Sequence, residues 1–129
     1  MKSKRVFHVC SADNSDIDNV INSKEYATVS GKPDSDTDYI AISSKNERVL
    51  LCRLDRVVRY ESGVSKVWTT GKNPKGTNWK SLYMFTDVIE LSNASMDKIS
   101  DINKIMVKSN GVKQPRNFQP TGAYFNIYL

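Results

Sequence analysis

Two tryptophans lie within the most basic stretch of the sequence, residues 53–80, and their rings are the side chains best suited to recognising a flat ligand. Trp68 and Trp79 lie on either side of a loop that carries Lys72 and Lys75. An aromatic face beside cations is suited to stacking on an unpaired base while the cations contact phosphates, and an aromatic cage also suits a methylated nitrogen. Trp79 begins an apolar run, which predicts a core position, whereas Trp68 stands where a strand meets a loop and is the better binding residue. The alternative is that both rings belong to the core.

The positive charge of the chain is concentrated in the same part of the sequence. Residues 1–50 carry 7 Lys/Arg and 8 Asp/Glu, a net −1, and residues 51–129 carry 12 and 6, a net +6, which together give the overall +5. A one-sided basic region indicates a polyanionic partner such as DNA or RNA. A solvated basic surface without a partner explains the charge equally well.

Motifs of enzymes and metal sites do not occur in the sequence. There is no Gly-x-Ser-x-Gly, no Gly-x-x-x-x-Gly-Lys-Ser/Thr and no His-Glu pair. The single histidine, His8, lies in an apolar strand-like run, which is typical of a packed side chain. Cys10 and Cys52 are predicted to be buried thiols. We therefore expect no catalytic residue, no cofactor and no metal.

An acidic loop is the remaining group of side chains that bears on chemistry. Asp34, Asp36 and Asp38 alternate with Ser35 and Thr37. Oxygen ligands at this spacing suit weak binding of a divalent cation, but the glycine and the final glutamate of an EF-hand loop are missing. The simpler interpretation is a solvated acidic loop.

The apolar pattern predicts a single α+β domain over residues 1–129. Only 5 alanines occur among many Ser, Asn and Asp residues, which favours strands and polar turns over a helical bundle. Strands are predicted at 5–10, 39–43, 48–60, 64–68 and 79–91, and helices at 15–24 and after Ser95. The pair Val57-Val58 predicts a bulge, and residues 120–129 suit either a helical turn or a strand. Short strands dominate, so a small β-barrel or curved sheet with flanking short helices is expected.

The sequence also bears on the location of the protein. No apolar run approaches the roughly 20 residues that would span a bilayer. The apolar stretch after the basic N-terminus is too short for a signal peptide. We therefore expect an intracellular protein, cytoplasmic or, in a eukaryote, nuclear, with no membrane partner.

Several short segments occur in an order that is typical of one group of nucleic-acid readers. The first strand ends in the polar turn 10–14 and leads into a helix. After that helix, where the group has a cage Trp followed by Ser, this chain has Val29 and Ser30. Trp68 resembles the second cage Trp. Residues 116–119 resemble an Arg-acid-x-Gln segment that contacts nucleic acid, with Asn in place of the acid.

In this order the chain resembles the YTH domain, the reader of N6-methyladenine, and its EVE relatives in the PUA-like superfamily. It is also similar to the DNA-reading N-terminal domains of some McrB-type modification-dependent restriction enzymes. The resemblance covers about residues 5–119. It implies a PUA-like fold and a non-catalytic module of a larger defence or regulatory protein, which flips a modified base into an aromatic pocket.

The resemblance also implies a set of site residues. Trp68, with Tyr26 or another ring, would sandwich the base, and the whole base-binding set is Trp68, Ser11, Asn14, Tyr26, Val29 and Ser30. The phosphate-binding set is Arg116, Lys72, Lys75 and Asn117. The sequence does not distinguish DNA from RNA, or N6-methyladenine from 5-methylcytosine. Two other functions remain open: an ASCH-type enzyme that processes RNA or nucleosides, and a protein-interaction or inhibitor domain.

Overall fold

Residues 3–10, 14–43, 49–91 and 124–128 are described by the computed structural model of this protein. They form a mixed sheet with one helix, which confirms the expected α+β class. The elements of this described part are β1 (Ser3–Cys10), α1 (Asn14–Ser23), β2 (Glu25–Thr28), β3 (Tyr39–Ser43), β4 (Val49–Arg59), β5 (Ser81–Leu91) and β6 (Tyr124–Tyr128).

The strands pair in the order β2-β5-β4-β3-β1-β6. β1 and β3 are parallel, because α1 and β2 intervene between them in the chain, and the other neighbouring pairs are antiparallel. Among the described strands, β2 and β6 therefore lie at opposite edges of an open sheet.

The core lies between α1 and the sheet. Ile17 and Val20, three residues apart on one side of α1, are fully buried and belong to the same apolar cluster as Ile40, Leu50 and Leu82. Such i, i+3 spacing places side chains on one helix face. Ile21, which the periodicity assigns to the same face, is instead 36% exposed. His8 and Cys52 are fully buried, as predicted, and the side chain of Cys10 lies outside the described residues.

The β3–β4 hairpin follows the predicted bounds closely, but two local features differ from the predictions. The irregularity in the β4–β5 ladder lies between Arg53 and Arg56 rather than at Val57-Val58. Residues 64–68 form a loop rather than a strand, because the backbone there is satisfied by a side chain instead of a neighbouring strand: Val67 and Trp68 donate their N–H groups to the hydroxyl of Ser65.

Two further elements complete the comparison with the predicted pattern. The four-residue strand β2 was not predicted, since its strand conformation comes from pairing with β5. The C-terminal segment, for which helix and strand were both open, pairs with β1 as a strand. The helix predicted after Ser95 lies outside the described residues.

Lys24 ends α1 and redirects the chain into β2. It has a φ of +55°, a left-handed conformation that L-residues other than Asn and Asp rarely adopt. Its N–H donates to the carbonyl of Val20 at 2.8 Å, and its own carbonyl accepts the N–H of Phe85 at 2.9 Å. The turn thereby joins the end of the helix to β5.

The acidic loop is held against the sheet by Arg5. Its guanidinium lies 3.1 Å from Asp34 and 3.4 Å from Asp36, and it stacks 4.2 Å from the ring centroid of Tyr124. The backbone N–H of Arg5 donates to Asp38 at 2.9 Å. Within the described ranges, no group of three His, Cys, Asp or Glu side chains is placed to hold a metal ion. The loop thus has a structural attachment that the sequence did not indicate.

In the part of the chain that the structure describes, no helix combines the length and the apolar character that crossing a membrane requires.

Candidate nucleic-acid interface

Two adjacent hollows open beside the loop of residues 69–78. The larger, hollow A, has a volume of about 400 Å³, and the smaller, hollow B, about 240 Å³. Trp79, Asp16, Asn73 and Pro74 line both of them and form their shared wall. The two hollows therefore make one continuous candidate surface.

Trp68 lines hollow A, and three hydrogen bonds fix its position. Its indole Nε1 donates to the carbonyl of Glu25 at 3.0 Å, and its backbone N–H donates to the hydroxyl of Ser65 at 3.0 Å. The hydroxyl of Tyr60 donates to its carbonyl. The Ser65 hydroxyl in turn donates to the Glu25 carboxylate at 3.0 Å. Trp68 is consequently preorganised, but it is only 6% exposed and is more deeply buried than the sequence indicated.

The aromatic rings meet edge to face rather than in parallel. Tyr26 and Trp68 have centroids 5.5 Å apart and planes at 86°, so the two rings pack on each other and leave no slot between them. The expected sandwich of a base between these two rings is therefore wrong. Trp68 and Trp79 lie 6.2 Å apart with planes at 90°, which makes a right-angled corner in hollow A.

Trp79 has a different environment from the core position that the sequence predicted. It packs against the core cluster but is only half-buried, and it lines both hollows. Its backbone N–H donates to the carbonyl of Gly71 at 2.9 Å. Its indole Nε1 is buried and has no hydrogen-bond partner in the described part of the chain.

The loop that carries the two lysines is tightly organised. The side-chain oxygen of Asn73 accepts the N–H groups of Lys75 and Thr77, at 3.0 and 2.9 Å. The Asn73 backbone also exchanges hydrogen bonds with Thr77 and Gly76, and Gly76 has a φ of +83°, which favours glycine. Lys72 and Lys75 are both exposed on this loop. A preorganised backbone therefore places Lys72 in the lining of hollow A and Lys75 in that of hollow B.

The segment after β2 forms part of hollow B. Thr28 accepts the N–H of Ser30 at 3.0 Å through its hydroxyl. The hydroxyl of the buried Tyr83 donates to the carbonyl of Gly31 at 2.7 Å. These bonds hold the turn that places Val29, 41% exposed, in the lining of hollow B.

Most predicted site residues that the structure describes are in the linings. Hollow A contains Trp68 and Lys72, and hollow B contains Tyr26, Val29, Ser30 and Lys75. The predicted residues Ser11, Arg116 and Asn117 lie outside the described residues. Asn14 begins α1, and its side chain is also outside them.

Sequence reasoning missed Asp16, Asn19, Asn73 and Trp79 as lining residues. The spacing of Asp16 and Asn19 places them on one side of α1, and this signal could have identified them together. Asp16 is the one carboxylate in the described linings, and these linings contain no His or Cys. The arrangement offers rings, one hydrogen-bond-accepting anion and two cations, which suits binding better than hydrolysis by paired acids.

Neither the family models nor the curated proteins provide a relative of this chain. No model of a known protein family matches the chain, and no curated protein matches it either.

Proposed function

We propose that this chain is a non-catalytic nucleic-acid-binding module that reads a modified, methylated base. The observation that carries the proposal is the right-angled corner of Trp68 and Trp79 in hollow A, beside the exposed Lys72. Rigid aromatic surface next to a cation is the combination that binds unpaired bases and their phosphates.

Hollow A is the proposed base pocket. Its volume of about 400 Å³ lies in the range of small-ligand sites, roughly 300–1,000 Å³. A base that stacks on the exposed part of Trp79 meets Trp68 at its edge, and stacking of this kind contributes about 1–3 kcal/mol per base. A methyl group on the base gains apolar contact with Val67, worth on the order of 1 kcal/mol. This difference separates a modified base from its unmodified parent.

Asp16 is the proposed contact to the polar edge of the base. A carboxylate accepts hydrogen bonds and does not donate them at neutral pH. Adenine and cytosine present exocyclic amino donors, whereas the corresponding group of thymine is an acceptor. The module is therefore expected to prefer N6-methyladenine or a methylated cytosine over thymine or uracil. Ser11, Asn14 and Ser30 stay in the proposed base-binding set.

Lys72 and Lys75 are the proposed phosphate contacts. Both are exposed, and each lines one of the hollows. Cations that neutralise phosphates release counterions, so affinity should fall as the salt concentration rises. Arg116 and Asn117 complete this set by their resemblance to the Arg-acid-x-Gln segment.

The proposed fold is PUA-like, of the YTH/EVE type. The order of β1, then α1, then the β3–β4 hairpin supports this assignment. The position of Trp68 in a loop after the hairpin supports it as well. We propose that the module acts inside the cell within a larger defence or regulatory protein, because base reading alone has no effect without a coupled activity.

Fluorescence anisotropy with matched oligonucleotides tests the proposal. The probes are DNA and RNA strands that carry adenine, N6-methyladenine, cytosine or 5-methylcytosine at one position, each at two salt concentrations. A preference of about fivefold or more for one modified strand is the expected result. Equal, salt-sensitive affinity for all strands would reduce the module to a general nucleic-acid binder. Absence of binding at low salt would favour a protein-interaction domain.

A further inference from the structure

Hollows A and B have linings of similar composition and share one ring. Trp79 belongs to both linings, together with Asp16 and the Asn73-Pro74 step of the loop. Six residues line hollow B but not hollow A: Val9, Tyr26, Thr28, Val29, Ser30 and Lys75. A single base in the Trp68–Trp79 corner of hollow A leaves this part of the surface available. Hollow B is therefore available to a second group of the ligand.

Each hollow has its own apolar edge, its own aromatic ring from the core and its own cation. Val67, 42% exposed, and Val29, 41% exposed, are the exposed aliphatic side chains of hollows A and B. Trp68 lies in the wall of hollow A, and Tyr26 lies in that of hollow B. The matching cations are Lys72 in A and Lys75 in B. Both hollows thus offer an aromatic ring and an aliphatic side chain to contact a base, and a cation to contact a phosphate.

We infer that the ligand is a single strand with two consecutive unpaired bases, the modified base in hollow A and its neighbour in hollow B. The inference rests on the proposed function. Hollow A takes the modified base because it is the larger space and contains the two-tryptophan corner. Lys72 and Lys75 are three residues apart on the organised loop and face the phosphates of successive nucleotides. Trp79 lies between the two bases and contacts both.

A duplex that flips out one base does not satisfy this arrangement. Its neighbouring base stays paired and stacked in the helix and leaves hollow B empty. A single strand or a loop leaves both bases available for aromatic stacking. The protein should therefore discriminate against duplexes even when the modified base is present.

The test uses short strands with a central N6-methyladenine, or 5-methylcytosine if the anisotropy screen selects that base. In three further probes, the base on the 5′ side is removed, the base on the 3′ side is removed, or the complementary strand is annealed. The protein variants are Val67→Ala, Val29→Ala and Val64→Ala. Val64 is the matched control, since it is 36% exposed but lines neither hollow.

The expected result has three parts. Removal of the neighbouring base on one side lowers the affinity about tenfold, and removal on the other side changes it less than about twofold. Val29→Ala lowers the affinity for the intact strand about fivefold. It does not change the affinity for the abasic strand that binds about tenfold more weakly, because that strand already lacks the base that contacts Val29. Val67→Ala weakens binding of both strands, and Val64→Ala weakens neither.

Three outcomes would overturn the inference. If neither abasic strand binds more weakly than the intact strand while the modified base still matters, the protein reads one base and only the proposed function stands. If the duplex binds as tightly as the single strand, the second unpaired base is not required. If no strand binds, the proposed function fails and this inference fails with it.

Discussion

The indole N–H of Trp68 donates a 3.0 Å hydrogen bond to the backbone carbonyl of Glu25, 43 residues earlier in the chain. The bond joins the loop after β4 to the first residue of the edge strand β2. Trp68 therefore stabilises the fold and also lines hollow A. This double role changes how each aromatic side chain of the site is best tested.

Substitution of Trp68 should destabilise the fold. Trp68→Ala removes a ring that is 6% exposed and packed edge to face on Tyr26, so the free energy of unfolding should fall by about 3–5 kcal/mol. Urea denaturation measures the loss. A variant that unfolds at the wild-type midpoint would show that the ring is not part of the core.

Substitution of Trp79 should weaken binding more than stability. Trp79→Leu removes the stacking surface from both hollows, and affinity for the preferred strand should fall by about tenfold or more. It also removes a buried indole donor without a partner in the described residues, which offsets part of the lost packing. The unfolding free energy should therefore fall by less than about 2 kcal/mol. A folded variant with unchanged affinity would place the binding surface elsewhere.

The two lysines of the loop should contribute separately to the salt dependence. Lys72→Ala and Lys75→Ala should each reduce the slope of log affinity against log salt by about one, and the double variant by about two. Lys32→Ala is the control, because Lys32 is exposed but lines neither hollow. Equal slopes in Lys32→Ala and the double variant would remove the loop lysines from the phosphate contacts.

Lys24→Gly should stabilise the free protein. Glycine adopts a φ of +55° without the steric cost of a Cβ atom, so the unfolding free energy should rise by up to about 1 kcal/mol. Lys24→Ala is the matched control, since it keeps the Cβ atom and removes only the weak amine contact to the carbonyl of Thr86. Equal stabilities of the two variants, measured by thermal unfolding, would contradict the assignment of strain to this residue.

Stability should decline in alkaline solution. Burial raises the pKa of the Cys52 thiol above its ordinary value of 9.0. Burial, with a smaller contribution from Tyr124, also raises the pKa of the Tyr83 phenol above its ordinary 10.0. Both groups lose protons more readily in the unfolded chain. Their contribution to stability is therefore complete below about pH 9 and is lost as the pH rises, by up to about 1.4 kcal/mol per pH unit for each group.

Cys52→Ala separates the two groups in this experiment. The variant should keep the decline above about pH 10 that belongs to Tyr83 but lose the earlier decline that begins near pH 9. Chemical denaturation at a series of pH values measures both. An unchanged profile in Cys52→Ala would show that the thiol does not contribute.

Elements with strong local periodicity were predictable from the sequence. The strand at 39–43 has the predicted bounds, and α1 and β4 differ from theirs by one residue at each end. Apolar spacing carries this information because it depends only on near neighbours in the chain. The strand β2 was missed for the opposite reason, since it exists through pairs such as Ala27 with Leu82.

The candidate site was predictable in composition but not in geometry. The sequence assigned Trp68, Tyr26, Val29 and Ser30 to one base-binding set, whereas the structure places Trp68 in the lining of hollow A and the other three in that of hollow B. Asp16 was missed because an acid in the first turn of a helix is explained well enough by the helix dipole. Its place in both linings follows from the packing of α1 beside the loop, which no local pattern encodes.

The two tryptophans show most clearly which property of the site the sequence does not determine, namely the exposure of each ring. Residue type and the basic loop between them predict a surface for a flat, negatively charged ligand. Which ring is buried and which borders both hollows was decided by long-range contacts, those of Trp68 with Glu25 and Tyr26. Two indoles have nearly the same intrinsic preference for burial. Their exposure is therefore set by the partners that the tertiary structure brings to each ring.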